Sequence, residues 1–336
     1  ARELWERQFE LVSMETALKE ENGTIRSKIV GIVNFGHNKI DEKLCSKLPS
    51  LKVVSNIGAG VDHIAVEELR RAGINVGHTP GILSETTAEL AFALMIASCR
   101  RLAQAHIFCG SKNDSSAGRD IHGFMGQDLA GKTVGIVGMG SIGKEIAKRC
   151  SAFDMDILYY NRSQLAAEEE KEAGSASYCK NLESCLKRAD FLFLVVPLNP
   201  KTKGLISSKQ LAMMKPTAHL INIARGEVVD TDDLTSALQK GEISAAALDV
   251  TAPEPLPEDH KLRSMENVIL TPHIGSATLE CRLRMAWMAL DNLMAAVKGQ
   301  AMVRTPGTWP EKSEVQKLNR EYRQKVANAN IDFNKK

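Results

Sequence analysis

What this chain lacks narrows it first. There is no Cys-x-x-Cys pair, and the seven cysteines, an odd number, are scattered from Cys45 to Cys281 in apolar or helical settings. That argues against a disulfide framework and a zinc site, and predicts reduced core thiols, no metal, and an intracellular, cytoplasmic protein. Net charge is nearly absent: 43 Lys plus Arg stand against 41 Asp plus Glu. No overall field would recruit nucleic acid or an anionic membrane, so small molecules and copies of the same chain are the expected partners. Long apolar runs are missing too. The most apolar helical stretch, Ala88 to Ala97, is too short to span a bilayer and contains Glu89. No signal-peptide pattern precedes it. A length of 336 residues exceeds what one core usually serves and predicts two domains.

What is present centres on Lys132 to Gly143, K-T-V-G-I-V-G-M-G-S-I-G. Thr133 to Val137 reads as a buried parallel strand running into Gly138, Gly140 and Gly143, after which Ser141 to Cys150 reads as a helix. A bare glycine triplet is often only a turn. Between a strand and a helix, this spacing gives a tight turn at Gly138, backbone approach to a pyrophosphate at Gly140, and close helix packing at Gly143. The free amides and positive dipole end at Ser141 and Ile142 then suit an anion.

Further strands are expected at Asp156–Tyr160, Phe191–Val196, His219–Asn222, Ala245–Val250 and Val268–Leu270, the alternation of a doubly wound sheet. Ligands lie at the carboxyl ends of such strands. Chemistry is therefore sought at Asn161–Ser163, Pro197–Asn199, Ile223–Arg225, Asp249 and His273. Ahead of this region, Phe9–Met14, Ile29–Val33, Leu51–Ile57 and Asn75–Val76 read as strands, with a short helix at Asp41–Leu48. The chain opens with a helix-like Glu3–Gln8 and no earlier strand, so a first strand of this part is expected to be missing or rearranged. At Asn56–His63, N-I-G-A-G-V-D-H, the amides of Ala59 and Gly60 suit a carboxylate, although a plain strand-to-helix turn fits the spacing at least as well.

Ser84 to Ala105 reads as one helix, capped by Ser84 and Thr87, with Leu90, Leu94, Ala97 and Leu102 as its stripe. Gly110–Gly123 reads as an interdomain loop. Thr278 to Gly299 reads as an amphipathic helix, and the charged tail after Met302 as partly disordered or a peripheral helix with little to bury.

Six motifs in order resemble the D-isomer-specific 2-hydroxyacid dehydrogenases, most nearly the glyoxylate/hydroxypyruvate reductases: N-I-G-A-G-V-D-H at 56–63, T-T-A-E-L-A at 86–91, G-M-G-S-I-G at 138–143, I-N-I-A-R-G at 221–226, L-D-V-T-A-P-E-P-L-P at 248–257 and P-H-I-G-S-A at 272–277. The resemblance spans about Leu51 to Met302, three quarters of the chain. It implies an α/β protein of two doubly wound domains. A Rossmann dinucleotide-binding domain takes residues 104–298, and a smaller flavodoxin-like lid takes 1–103 with 299–336, the two hinging near 104 and 298.

It implies reduction of small 2-oxo acids to 2-hydroxy acids, with Arg225, Glu254 and His273 catalytic. The residue types suit those roles. An imidazole can supply the carbonyl proton, a carboxylate on its far nitrogen favours the imidazolium, and a guanidinium takes the substrate carboxylate. Pro197, Ile223, Asp249 and Gly275 would line the nicotinamide side, Thr87 would also bind the cofactor, and Ala59 and Gly60 would give amides to the substrate. A homodimer is implied as well. Asn161, Arg162 and Ser163 offer no carboxylate to repel a 2′-phosphate and do offer a guanidinium and a hydroxyl, which predicts NADP(H) over NAD(H). The sensing of a dinucleotide by a co-repressor-like binding protein is the alternative. The segment 110–123 holds no Trp, where these reductases often carry one, so the preferred 2-oxo acid stays open.

Overall fold

Among the described residues, short and mostly apolar runs form ten parallel strands in two sheets. The computed structural model describes residues 5–36, 38–110, 121–307 and 312–329. It divides into Ala1–Leu83 with Ser276–Lys336, and Ser84–Gly275.

In the larger unit the strands are β4 (Thr133–Val137), β5 (Asp156–Tyr160), β6 (Ser177–Tyr178), β7 (Phe191–Leu194), β8 (His219–Asn222), β9 (Ala245–Leu248) and β10 (Val268–Leu270). Their order is β10-β9-β8-β7-β4-β5-β6, so the chain winds one way from β4 and then the other. The reversal between β4 and β7 opens a crevice at their carboxyl ends, where the glycine turn lies. Every residue of β7, β8 and β9 is buried, as expected of strands covered on both faces. β7 and β9 end two residues before the sequence predicts, and β6, only two residues long, leaves no readable pattern.

The helix expected over 84–105 breaks at Arg101, whose φ is +51°, and becomes Ser84–Cys99 followed by Leu102–Gly110. Leu102, placed in the apolar stripe by spacing, is consequently half exposed. Ala88, Ala91, Leu94 and Met95 bury against Val134, Ile136, Phe191 and Ile221, so this helix belongs with the larger sheet. The Leu279–Val297 helix packs Ala289, Leu290 and Leu293 on Val53 of the smaller sheet. The two compact units join in sequence at Leu83 and at Gly275. The expected interdomain loop at 110–123 falls largely on 111–120, outside the described residues.

The smaller unit carries β1 (Gly31–Asn34), β2 (Val53–Asn56) and β3 (Asn75–Gly77), paired in that order. Phe9–Met14 is not a strand: Ser13 Oγ accepts the Thr16 amide and caps a short helix, Met14–Leu18. The tail holds a helix, Lys312–Asn328, and it buries more than its charge predicts. Tyr322 and Val326 are buried, with the Tyr322 hydroxyl donating to Asp291 at 2.9 Å and Arg284 donating to Asn319 at 3.1 Å. Six cysteines are buried and Cys109 is exposed. No helix among the described residues is long and apolar enough to cross a membrane, and no three His, Cys, Asp or Glu side chains among them group to hold a metal.

At the amino end of β8, His219 is buried between Ser98, 2.7 Å from its Nδ1, and Gln127, 3.3 Å from its Nε2. The Gln127 amide also donates to the Thr217 carbonyl at 3.0 Å, which orients its NH₂ toward the ring. Nε2 therefore accepts and Nδ1–H donates to Ser98. Burial pushes this imidazole down to about 4, so the unfolded chain binds its proton first as pH falls. The folded state is favoured above pH ~6.5 and loses that contribution progressively down to about 4, on the order of 2 kcal/mol by pH ~5. Denaturant titrations at pH 7 and pH 5 should show a markedly smaller pH effect in His219→Gln than in the parent.

Candidate active site

The glycine turn is shaped by close contacts. Gly138 has φ +105°, and a Cβ there would lie 2.6 Å from the Val195 carbonyl oxygen. A Cβ on Gly143 would lie 2.3 Å from the Gly138 carbonyl oxygen, whereas one on Gly140 would meet nothing within 4 Å. Gly140 therefore leaves bare backbone facing open space. It is also the N-cap of the Ser141–Ser151 helix and supplies no side-chain cap, so the first-turn amides of Ser141 and Ile142 are available. Ser84 Oγ donates to Ser141 Oγ at 3.0 Å, bringing the amino ends of two helices together. The spacing had marked Ser84 only as a cap.

At the end of β5, Asn161 Oδ1 accepts the Met139 amide at 2.8 Å and ties the turn to the second strand. Arg162 and Ser163 are exposed, and Arg162 makes no hydrogen bond or ion pair among the described residues. A bare backbone cradle, uncapped helix amides and a neighbouring strand end rich in donors fit a dinucleotide.

Three further strand ends carry the candidate catalytic groups. After β8, Asn222 donates from Nδ2 to the Arg225 carbonyl at 2.9 Å and accepts the Ala224 amide at 3.1 Å, which fixes the turn bearing Arg225. A Cβ on Gly226 would lie 2.0 Å from the Thr251 carbonyl, so only glycine admits this approach of the β8 and β9 loops. Arg225 is partly buried and donates to the Ala224 carbonyl at 2.8 Å.

After β9, Asp249 is buried and accepts three bonds: Thr271 Oγ1 at 2.6 Å, the Ile274 amide at 2.8 Å and the Gly275 amide at 2.8 Å. Thr87 meets the same place, 3.3 Å from where a Cβ on Gly275 would be. The turn so held contains His273 in a left-handed conformation, φ +53°, with its amide on the Asp249 carbonyl at 2.9 Å. Left-handed backbone costs a non-glycine residue free energy, and surrounding bonds must hold it. His273 Nδ1 is 2.8 Å from Glu254 Oε1, both side chains about one third exposed. Because a carboxylate only accepts, Nδ1 carries the hydrogen and Nε2 points elsewhere.

Pro197 follows β7, its carbonyl accepting Thr202 Oγ1 at 2.6 Å, and Ile223 is buried behind the β8 end. Ala59 and Gly60 lie in the smaller unit after β2, and their amides make no hydrogen bond among the described residues. Spacing did not single out Asn222, nor the three-bond role of Asp249. Asparagine two residues after the middle of a buried strand is the one local signal that was there.

The family model for the D-isomer specific 2-hydroxyacid dehydrogenase NAD binding domain matches residues 92–275. The chain belongs to the D-isomer-specific 2-hydroxyacid dehydrogenases. Within that family it is 42% identical over 300 residues to a glyoxylate reductase of Pyrococcus furiosus, covering 89% of this chain and 86% of that protein. Among solved structures it is similar to the NADPH-dependent glyoxylate/hydroxypyruvate reductase of Sinorhizobium meliloti in complex with NADP and malonate, with TM-score 0.81, 30% identity, and 91% and 92% of the two chains covered. It is also similar to the D-lactate dehydrogenase of Aquifex aeolicus complexed with NAD and lactic acid, with TM-score 0.75, 30% identity, and 86% and 90% covered.

Asp249→Asn should loosen the 271–275 turn, because one of the two carboxylate oxygens becomes an NH₂ facing a backbone donor. Hydrogen exchange should show faster exchange at Ile274 and Gly275 while the β4 and β7 amides stay protected. Unchanged exchange would mean that the turn does not depend on this carboxylate.

Proposed function

We propose that this chain reduces small 2-oxo acids, glyoxylate and hydroxypyruvate, to 2-hydroxy acids, with NADP(H) preferred over NAD(H). The observation that carries the reading is the His273–Glu254 pair at 2.8 Å, set at the same edge of the sheet as Arg225 and the glycine turn. A bound nicotinamide nucleotide supplies the hydride.

The chain's own residues do the rest. Arg225 presents a planar fork to the substrate carboxylate and polarises the carbonyl. His273 gives the carbonyl oxygen its proton from Nε2, since Nδ1 faces Glu254. Glu254 accepts from Nδ1–H and holds the ring, which sets Nε2 as the nitrogen that serves the carbonyl oxygen. Thr87, Pro197, Ile223, Asp249 and Gly275 flank the nicotinamide, and Ala59 and Gly60 donate amides to the substrate carboxylate. Asp249 has both oxygens engaged by the turn, so its part is to shape that wall. A homodimer belongs to the same reading.

Kinship leaves the nucleotide open, since the relatives' structures hold NADP in one case and NAD in the other. Arg162 supports NADP(H): its guanidinium is exposed beside the second strand end, with no carboxylate at 161–163.

Absorbance at 340 nm, with glyoxylate or hydroxypyruvate and each nucleotide in parallel, should show NADPH oxidised faster than NADH. Arg162→Ala should lower kcat/KM for NADPH by roughly tenfold or more while changing NADH little. Equal losses for both nucleotides would place recognition of the 2′-phosphate elsewhere. In the same assay His273→Ala should lose roughly 10²–10⁴-fold in kcat. Turnover near the parental rate would remove His273 as proton donor.

A further inference from the structure

The loop after β2 has a construction that none of its sequence motifs announces. Three successive carbonyls, those of Gly58, Ala59 and Gly60, are each held by a buried polar group of the smaller unit. Gly58 O accepts the Thr79 amide at 2.9 Å and Asn56 Nδ2 at 3.4 Å. Ala59 O is 2.9 Å from His78 Nδ1, and Gly60 O accepts Asn56 Nδ2 at 2.9 Å. Asn56, His78 and Thr79 are 2%, 3% and 0% exposed. In a planar trans peptide the N–H points opposite to the carbonyl of the same unit. Each carbonyl turned inward therefore turns the next residue's amide outward. The amides so displayed are those of Ala59, Gly60 and Val61, and none of the three makes a hydrogen bond among the described residues.

The holders are themselves held. Asn56 Oδ1 accepts Asn34 Nδ2 at 3.0 Å and lies 3.2 Å from His63 Nε2. The His78 carbonyl accepts Nδ2 of the fully buried Asn292 at 3.1 Å, and Asn292 Oδ1 accepts the Arg304 amide at 2.8 Å. Gly77 lets this happen: a Cβ there would lie 2.9 Å from Asn292 Cβ. A carbonyl can only accept, so His78 carries its hydrogen on Nδ1. Burial holds its pKa below the ordinary imidazole value, which keeps the ring neutral.

We propose that His78 and Asn56 are positioning residues that preset a nest of three outward amides, Ala59, Gly60 and Val61, for the carboxylate of the 2-oxo acid. This rests on the reductase reading for the identity of the ligand. The physical gain is preorganisation: a loop whose carbonyls are already committed does not have to reorder when an anion arrives. Neither side chain touches the substrate.

The test uses the full chain with saturating NADPH and varied glyoxylate. His78→Leu removes the donor to Ala59 O, whereas His78→Asn keeps an N–H close to the place of Nδ1. His78→Leu should raise KM for glyoxylate roughly tenfold with kcat within about twofold, since a carboxylate contact is made equally in ground and transition states. His78→Asn should restore KM to within about threefold of the parent, and NADPH affinity should be unchanged in both. Asn56→Ser, too short to reach Gly60 O, should move KM in the same direction if His78→Leu does not fold. Equal KM in the Leu and Asn variants, or a fall in kcat alone, would overturn the proposal.

Amide resonances of Ala59, Gly60 and Val61, followed by NMR during titration with oxalate, separate the two readings. If the parent turns over neither 2-oxo acid, the reductase reading fails alone. Oxalate shifts at these amides that His78→Leu loses and His78→Asn keeps would then still sustain the positioning role. Absence of shifts in the parent would end it.

Discussion

The constraint on which this site depends is the burial of the Asp249 carboxylate. A charge removed from water is tolerated only when donors surround it, and here a hydroxyl and two backbone amides do so within 2.8 Å. Those donors belong to the five residues after β10, so satisfying the carboxylate also folds the turn. His273 is then carried into a left-handed conformation that its own side chain would not choose. The imidazole meets Glu254 because the loop from β9 returns to the same edge of the sheet. Parallel register sets this up: Val268 to Leu270 pair with Ala246 to Leu248, which puts Asp249 and Thr271 side by side.

At two places backbone amides are left uncommitted and facing outward. At Gly140 a missing Cβ leaves the chain bare, and the helix beginning at Ser141 has no side-chain cap to occupy its amides. After β2 the same end is reached differently, by drawing three carbonyls inward. Both devices give fixed dipoles that need little reorganisation when a ligand arrives. Neither depends on a flexible cation finding its place.

Strands β4, β5, β8 and β10 were legible to the residue because a glycine or polar residue closes or follows each run, at Gly138, Asn161, Asn222 and Thr271, whereas Val195 and Val196 prolong the apolar run beyond the end of β7. The glycine turn was legible for a related reason: a missing Cβ leaves a mark in the sequence that no other residue imitates. Which sheet a helix covers was not. An apolar stripe on the Ser84–Cys99 helix says that a face is buried, but not against which sheet, and Ala88 and Met95 find the larger one. Likewise the Lys312–Asn328 segment is charged at seven of its seventeen residues, yet Tyr322, with its hydroxyl on Asp291, and Val326 give it a face to bury. The pairing of His273 with Glu254 came from resemblance, since the two lie on loops on either side of β10 and sequence spacing carries no distance between them.

Three histidines of one chain show how surroundings assign a role. His219 is enclosed by β8 and the Ser84–Cys99 helix with no charged partner, and burial alone holds it neutral, so it serves as a fixed donor to Ser98. His78 is equally enclosed and is spent on a backbone carbonyl, where a permanent donor is worth more than a mobile proton. His273 differs in both respects: a third of its side chain reaches solvent and its inner nitrogen faces a carboxylate. Access to water and a carboxylate partner are what the proposed proton donor requires. The same side chain is thus a strut where burial encloses it and a candidate acid where it reaches solvent beside a carboxylate.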